Sequence, residues 1–269
     1  MIFLKTVRYS SPPAKKAGTF PFNVPIVQAL SELEFSADVT FFVGENGSGK
    51  STLLEAVAVA AHLPTVGSQS VEDDPTLAAV RQLARSLRLS WSQRTHHGFF
   101  LRSEDFFGFA KKMTGLRQEF EAELQDVEQE LAGRSRLAQG LARGPLLKEL
   151  GEMRRRYGPD LDARSHGESY LKLFQARFVP NGLYLLDEPE APLSPMKQSS
   201  LIALLRMMVE EQQAQFIIAT HSPILMAFPN ATIYSFDDGK IEPIAYDEVE
   251  HVAITKAFLN RPEQFLRYL

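Results

Sequence analysis

Val39-Thr40-Phe41-Phe42-Val43-Gly44-Glu45-Asn46-Gly47-Ser48-Gly49-Lys50-Ser51-Thr52 is the stretch on which the fold class of this 269-residue chain turns. A run of β-branched and aromatic residues leads into Gly44. From Ser51 onward Thr-Leu-Leu-Glu-Ala-Val-Ala-Val-Ala-Ala is helix-forming material up to Pro64, so the order is strand, glycine loop, helix. Gly44 to Ser51 fits G-x-x-x-x-G-K-S/T at every fixed position in the context that this motif requires. Gly44, Gly47 and Gly49 let backbone amides converge on phosphate oxygens, and the following helix turns its positive end toward the same anion. Lys50 is placed to neutralise the terminal phosphates and Ser51 to help hold magnesium.

Further along, Leu183-Tyr184-Leu185-Leu186-Asp187-Glu188-Pro189 is an apolar strand ending in two acids. Taken alone, such a pair caps turns and helices. Downstream of a phosphate loop it reads as the arrangement in which Asp187 supports magnesium and Glu188 polarises an attacking water. Gln215 to Ala219 is a second short apolar run, and both read as strands buried in a parallel sheet. Leu201, Leu204, Leu205 and Met208 share a helical face between them.

The remaining chain is consistent with this frame. Residues 2–9 and 32–43 read as strands, 77–87 as a helix through Leu77, Val80, Leu83, Ala84 and Leu87, and 97–102 as a strand. Residues 65–75 read as a polar loop. Between Lys111 and Arg156 stand 10 Lys or Arg and 8 Asp or Glu, with leucines interrupted by glycine, which predicts a compact charged helical hairpin. Asp238-Gly239 marks a hairpin between 231–236 and 240–246, and 247–269 reads as two helices parted at Pro262. The whole is α/β: a sheet flanked by helices, with a helical subdomain.

Composition limits the function classes. A net charge of −4 carries no overall basic footprint for nucleic acid, although a local basic face stays open. The absence of cysteine excludes disulfides, thiolate metal sites and a cysteine nucleophile. Lys5 and Arg8 interrupt the short apolar start, the wrong order for a secretory leader. No segment supplies the roughly 20 consecutive apolar residues of a spanning helix, so membrane insertion is not expected and a cytoplasmic location is the simplest reading.

Gly44 to Ser51, Ser165-His166-Gly167-Glu168-Ser169, Leu185 to Pro189 and Thr220-His221-Ser222 stand in the order found in ATP-binding-cassette ATPases. The chain resembles the small bacterial stand-alone ATPases related to the SMC and RecF group. The resemblance implies a P-loop NTPase fold with a mixed sheet, a single domain over 1–269 with a helical insertion at about 111–160, and ATP and Mg2+ as ligands. It makes Gly44, Glu45, Asn46, Gly47, Ser48, Gly49, Lys50, Ser51 and Thr52 the ATP-binding set, with Lys50, Glu188 and His221 catalytic. Ser51 and Asp187 become the metal ligands, joined by Glu104 in the position of the family's glutamine loop. Ser165, His166, Gly167 and Glu168 become the signature segment that acts on the opposite subunit; His166 replaces the family's first glycine and Glu168 its glutamine. Ser165 with Glu168 also reads as an ordinary capping box, and His221 draws its meaning from motif order. Glu190 to Pro195 would be the dimer-facing loop, lacking the aspartate common there. Tyr9, Phe20 and Phe22 are aromatics available for an adenine.

ATP would be sandwiched in a head-to-tail homodimer that hydrolysis releases. The leading role is DNA maintenance, repair or defence, with DNA and an unidentified protein as candidate partners. Arg154-Arg155-Arg156 and Lys111-Lys112 read either as phosphate contacts or as solvated surface. The alternatives are the ATPase subunit of a membrane transporter and an ATP-binding switch with negligible turnover.

Overall fold

Uninterrupted apolar runs need cover on both faces, and the computed structural model, which describes residues 1–10, 18–66, 77–157 and 166–267, provides it. Strand β3 (Val39–Val43) and strand β7 (Gln215–Ala219) are buried at every residue, and β6 (Leu183–Asp187) at every residue but its last. With β5 (Gly98–Leu101), β8 (Thr232–Ser235) and β9 (Glu242–Pro243) they form a sheet of order β5-β6-β7-β3-β8-β9. All neighbours are parallel except β8 and β9, which form the antiparallel pair expected around Asp238-Gly239.

The run 32–43 divides between two sheets. Its first part is β2 (Glu32–Glu34), which joins β1 (Leu4–Tyr9) and β4 (Leu87–Trp91) in an antiparallel sheet of order β2-β1-β4. Its second part is β3. The helix read over 77–87 is also shorter than its apolar spacing suggests: α3 (Ala78–Ala84) stops, and Leu87 opens β4 opposite Tyr9. Backbone pairing with β1 takes Leu87 out of the helical period, an example of tertiary context overriding a local pattern.

The chain divides into two compact units, one of Met1–Ser103 with Phe178–Leu269 and one of Glu104–Arg177. In the first, α1 (Pro25–Ala29) and α2 (Lys50–Ala60) pack apolar residues into the core, α2 through Leu53, Leu54, Ala56, Val57 and Ala58. Tyr184 and Phe216 stack at 5.1 Å, with Phe178 edge-on to both. Helices α7 (Pro195–Gln212), α8 (Pro223–Met226), α9 (Glu250–Asn260) and α10 (Pro262–Leu266) complete the unit, and Pro262 opens the last as expected. The second unit holds α4 (Ser103–Glu130) from its second residue onward, α5 (Arg136–Tyr157) and α6 (His166–Arg177). Arg143 pairs with Glu128 across the α4–α5 hairpin at 2.7 Å, while Tyr170 meets Phe174 edge-on at 4.8 Å among buried side chains. The loop read at 65–75 lies largely outside the described residues.

One buried polar side chain ties the two sheets of the first unit together. Gln215 Oε1 accepts from Phe3 N and Leu4 N, each at 2.8 Å, and its Nε2 donates to Leu4 O at 3.0 Å. Gln215→Leu would strand those backbone groups away from water, and we expect it to lower unfolding free energy by about 3 kcal/mol in denaturant titrations.

Candidate functional site

Parallel pairing brings the carboxyl ends of β3, β6, β7 and β8 to one edge of the sheet. Asp187 lies opposite Ala219, Ala219 opposite Phe42, and Val43 opposite Ser235. The residues that follow each strand therefore meet in one crevice, the place where open α/β sheets bind ligands. Gly44 leaves β3 with φ of 137°, and a Cβ there would sit 2.8 Å from Asp237 Oδ1. Gly49 takes φ of 99°, and its Cβ would lie 2.7 Å from Ile26, so only glycine lets α2 begin at this point.

Lys50 is buried and folds back over its loop, donating to Gly44 O and Glu45 O, both at 2.8 Å. Burial lowers its pKa, and the carboxylates of Glu188 and Asp187 oppose that shift. Ser51 Oγ donates to Asp187 Oδ1 at 3.1 Å, joining residues 136 positions apart. The Asp187 carboxyl is pushed up to about 6, chiefly by burial, with the Ser51 hydrogen bond opposing and Glu188 adding repulsion. A hydroxyl and a carboxylate side by side are the hard oxygen donors that Mg2+ prefers, so Ser51 and Asp187 fit the expected metal.

Glu188 takes a left-handed backbone, φ 46°, with its N–H donating to Ala219 O at 2.9 Å. A non-glycine residue held in this region is strained and is retained where neighbours over-determine it. Its Oε1 stands 3.7 Å from His221 Nε2, a buried atom without a hydrogen-bond partner among the described residues. The His221 pKa is lowered by burial first, then by Lys50 and His251, against the pull of Glu188 and Asp237.

Several groups at this edge escape the sequence motifs. Glu190 opens the loop read as dimer-facing, and its own carboxylate is held by the turn after β7: Oε1 accepts from Thr220 Oγ1 at 2.6 Å and His221 N at 2.8 Å. Burial raises the Glu190 pKa, with these hydrogen bonds opposing it. Asp237 Oδ1 accepts from Glu45 N at 2.9 Å and Oδ2 from Ser235 Oγ at 2.8 Å, tethering the phosphate loop to the end of β8. His251, on α9, brings Nε2 within 3.3 Å of His221 Nδ1. The only sequence signal for Glu190 was its place after Asp187-Glu188-Pro189, and for Asp237 the adjoining Asp-Gly turn; nothing marked His251.

A polar cavity of about 470 Å³ opens beside the loop, lined by Glu45, Asn46, Gly47, Ser48, Asp237 and Asp238 among others. Of the aromatics proposed for adenine, Phe22 is in the core, Tyr9 packs against that core and Phe20 is exposed. Glu104 lies in the first turn of α4, so Ser103 to Asp105 form helix where the family's loop was expected; the Glu104 side chain is outside the described residues. Ser165 is outside them as well, and α6 begins at His166, carrying Gly167 and a half-buried Glu168 in its first turn.

Sheet order, glycine loop and acid-tipped strand define a P-loop NTPase fold with a nucleotide-binding domain of the ATP-binding-cassette type. Residues 23–73 match the family described as "AAA domain" and residues 81–227, more than half of the chain, match "AAA domain, putative AbiEii toxin, Type IV TA system". The chain belongs to this AAA-domain ATPase family. It is 25% identical over 184 residues to the thiamine import ATP-binding protein ThiQ of Vibrio cholerae, covering 68% of each chain. It is 29% identical over 226 residues to the lipoprotein-releasing system ATP-binding protein LolD of Chromohalobacter salexigens, covering 82% of this chain and 86% of that one. Among solved structures, the Smc head domain of Pyrococcus furiosus, bound to the C-terminal domain of ScpA, superposes with a TM-score of 0.49 at 14% identity, covering 97% of this chain and 100% of the other.

The raised carboxyl of Asp187 has a measurable consequence in the metal-free protein. Its ordinary value is 3.8, so between 3.8 and about 6 the folded chain holds a proton that the unfolded chain has released. Stability from this group is therefore lost as pH rises through about 6. Asp187→Asn should raise the metal-free Tm by about 3 °C at about pH 8 and by nothing at about pH 4, read by calorimetry, while weakening magnesium-dependent ATP binding.

Proposed function

We propose that the chain is a Mg-dependent ATPase in which ATP drives head-to-tail dimerisation and hydrolysis releases the dimer. The observation that carries this reading is the 3.7 Å approach of the strained Glu188 to His221 Nε2, buried and without a hydrogen-bond partner among the described residues, beside Ser51, Asp187 and Lys50. Gly44 to Thr52 bind the phosphates through amides and the positive end of α2, and Lys50 exchanges its contacts to Gly44 O and Glu45 O for phosphate oxygens. Ser51 and Asp187 would hold Mg2+, which would supply charge neutralisation at the phosphates. Glu188 orients the attacking water and takes its proton, while His221 Nε2 meets the terminal phosphate. Glu104 would join Ser51 and Asp187 as a further metal ligand. Ser165, His166, Gly167 and Glu168 act across the dimer on nucleotide held by the partner, which makes assembly respond to nucleotide state.

The coupled process that we favour is DNA maintenance, repair or defence by a cytoplasmic SMC-like ATPase. Lys111, Lys112, Arg154 and Arg155 are exposed on the charged hairpin, which supports contact with phosphates. The names of ThiQ and LolD support the alternative of a transporter's ATPase subunit with a separate membrane partner. Among the described residues no helix is long and apolar enough to cross a membrane. An ATP-binding switch with negligible turnover is the remaining alternative, and the presence of both Lys50 and Glu188 argues against it.

Glu188→Gln should lower kcat by about a hundredfold or more in a magnesium-dependent phosphate-release assay and accumulate an ATP-bound dimer by light scattering. Stimulation of the wild type by DNA supports the favoured role. Monomers without turnover in both proteins would overturn the self-sufficient ATPase.

A further inference from the structure

A histidine that must offer one ring nitrogen to a ligand needs its other nitrogen held, because that second bond decides which tautomer exists. His221 is held at two points. Glu190 Oε1 fixes its backbone N–H at 2.8 Å, and His251 Nε2 lies 3.3 Å from its ring Nδ1. The rings meet edge to face, with centroids 4.9 Å apart and planes at 69°, so the contact is directed and does not result from stacking. The opposite nitrogen, Nε2, is buried, unpaired among the described residues and 3.7 Å from the Glu188 carboxylate.

Of the two neutral tautomers of His221, one suits both contacts. Nε2 faces a carboxylate, which favours a hydrogen there, and a neutral ring with hydrogen on Nε2 has an acceptor at Nδ1. The His251 Nε2 must then donate. The charged groups around the ring act in both directions: Glu188 beyond β6 and Asp237 beyond β8 favour a second proton, while Lys50 on α2 and His251 on α9 oppose it together with burial. Glu190 adds its carboxylate at the backbone N–H.

We propose that His251 is a positioning residue of the site, donating from Nε2 to His221 Nδ1 and so holding His221 as the Nε2–H tautomer that presents a donor beside Glu188. The catalytic role of His221 is the one given under Proposed function, and the inference rests on it. The tautomer itself can be measured without turnover, so the two can fail separately.

The test compares the wild type with His251→Ala and His251→Gln. Glutamine is the conservative variant because its amide N–H reaches about as far as the histidine Nε2 and does not titrate in the working range. Ring 15N shifts of His221, assigned by their loss in His221→Asn, should give Nε2–H in the wild type and His251→Gln, and a shift toward Nδ1–H in His251→Ala. Steady-state kinetics should show kcat lowered about tenfold in His251→Ala with KM for ATP changed by less than about twofold, and most of kcat restored by glutamine. An unchanged His221 tautomer in a folded His251→Ala protein overturns the proposal. So does equal loss in the alanine and glutamine variants, which would mean that bulk or packing at 251 matters and the donor does not. If the wild type itself lacks turnover, the ATPase reading fails while the 15N comparison still decides the role of His251.

Discussion

Parallel hydrogen bonding among β6, β7, β3 and β8 is the constraint on which the candidate site depends. Those ladders align the strand ends, so that Gly44, Glu188, Thr220 and the approach to Asp237 leave the sheet along one edge. At the centre of the sheet β3, β6 and β7 are buried on both faces, covered by α2 on one side and by the aromatic packing around Tyr184 and Phe216. A one-residue slip would exchange the two faces of a strand and bury its polar end.

The same geometry concentrates charge where water is scarce. Asp187, Glu188 and Glu190 stand within one short segment, with Lys50 the buried cation that acts on all of them. Lys50 is satisfied by carbonyls of its own loop, whereas burial drives Asp187 toward its protonated form. Such a site costs stability in the free protein and gains it back when an anion and a cation arrive together, the usual trade between folding and function. Glu188 adds backbone strain to that cost, at a position whose N–H is tied to Ala219 O.

Around this centre the supporting contacts come from segments distant in sequence. Asp237 anchors Glu45 from beyond β8, Glu190 holds the turn after β7, and His251 reaches His221 from α9. Ser222 caps α8 through Ile224 N and Leu225 N while donating to Gln198 on α7. These bonds make the ends of separate strands behave as one surface. They also explain why Glu190 faces inward: two donors at 220 and 221 meet its carboxylate, a stronger claim than solvent makes on it.

Residues 39–60 and 183–188 carried their reading in local chemistry. A loop that needs positive φ at Gly44, Gly47 and Gly49 between a buried strand and a helix has few other uses, and an apolar strand tipped with acids points to the same edge. Hydrophobic runs likewise marked the buried strands, charge the helical hairpin and proline the break at Pro262, because each depends on neighbours within a few residues. It failed at Leu87 and within 32–43, where pairing with β1 decides the outcome and no local pattern records it. Gln215, Glu190, Asp237 and His251 were illegible as functional or structural partners for the same reason. By itself the sequence determined the fold class and the phosphate-loop chemistry, which live in contiguous residues; the tertiary structure alone decided what supports them, since a hydrogen bond between residues 30 or 192 positions apart exists only once the sheet has aligned its ends.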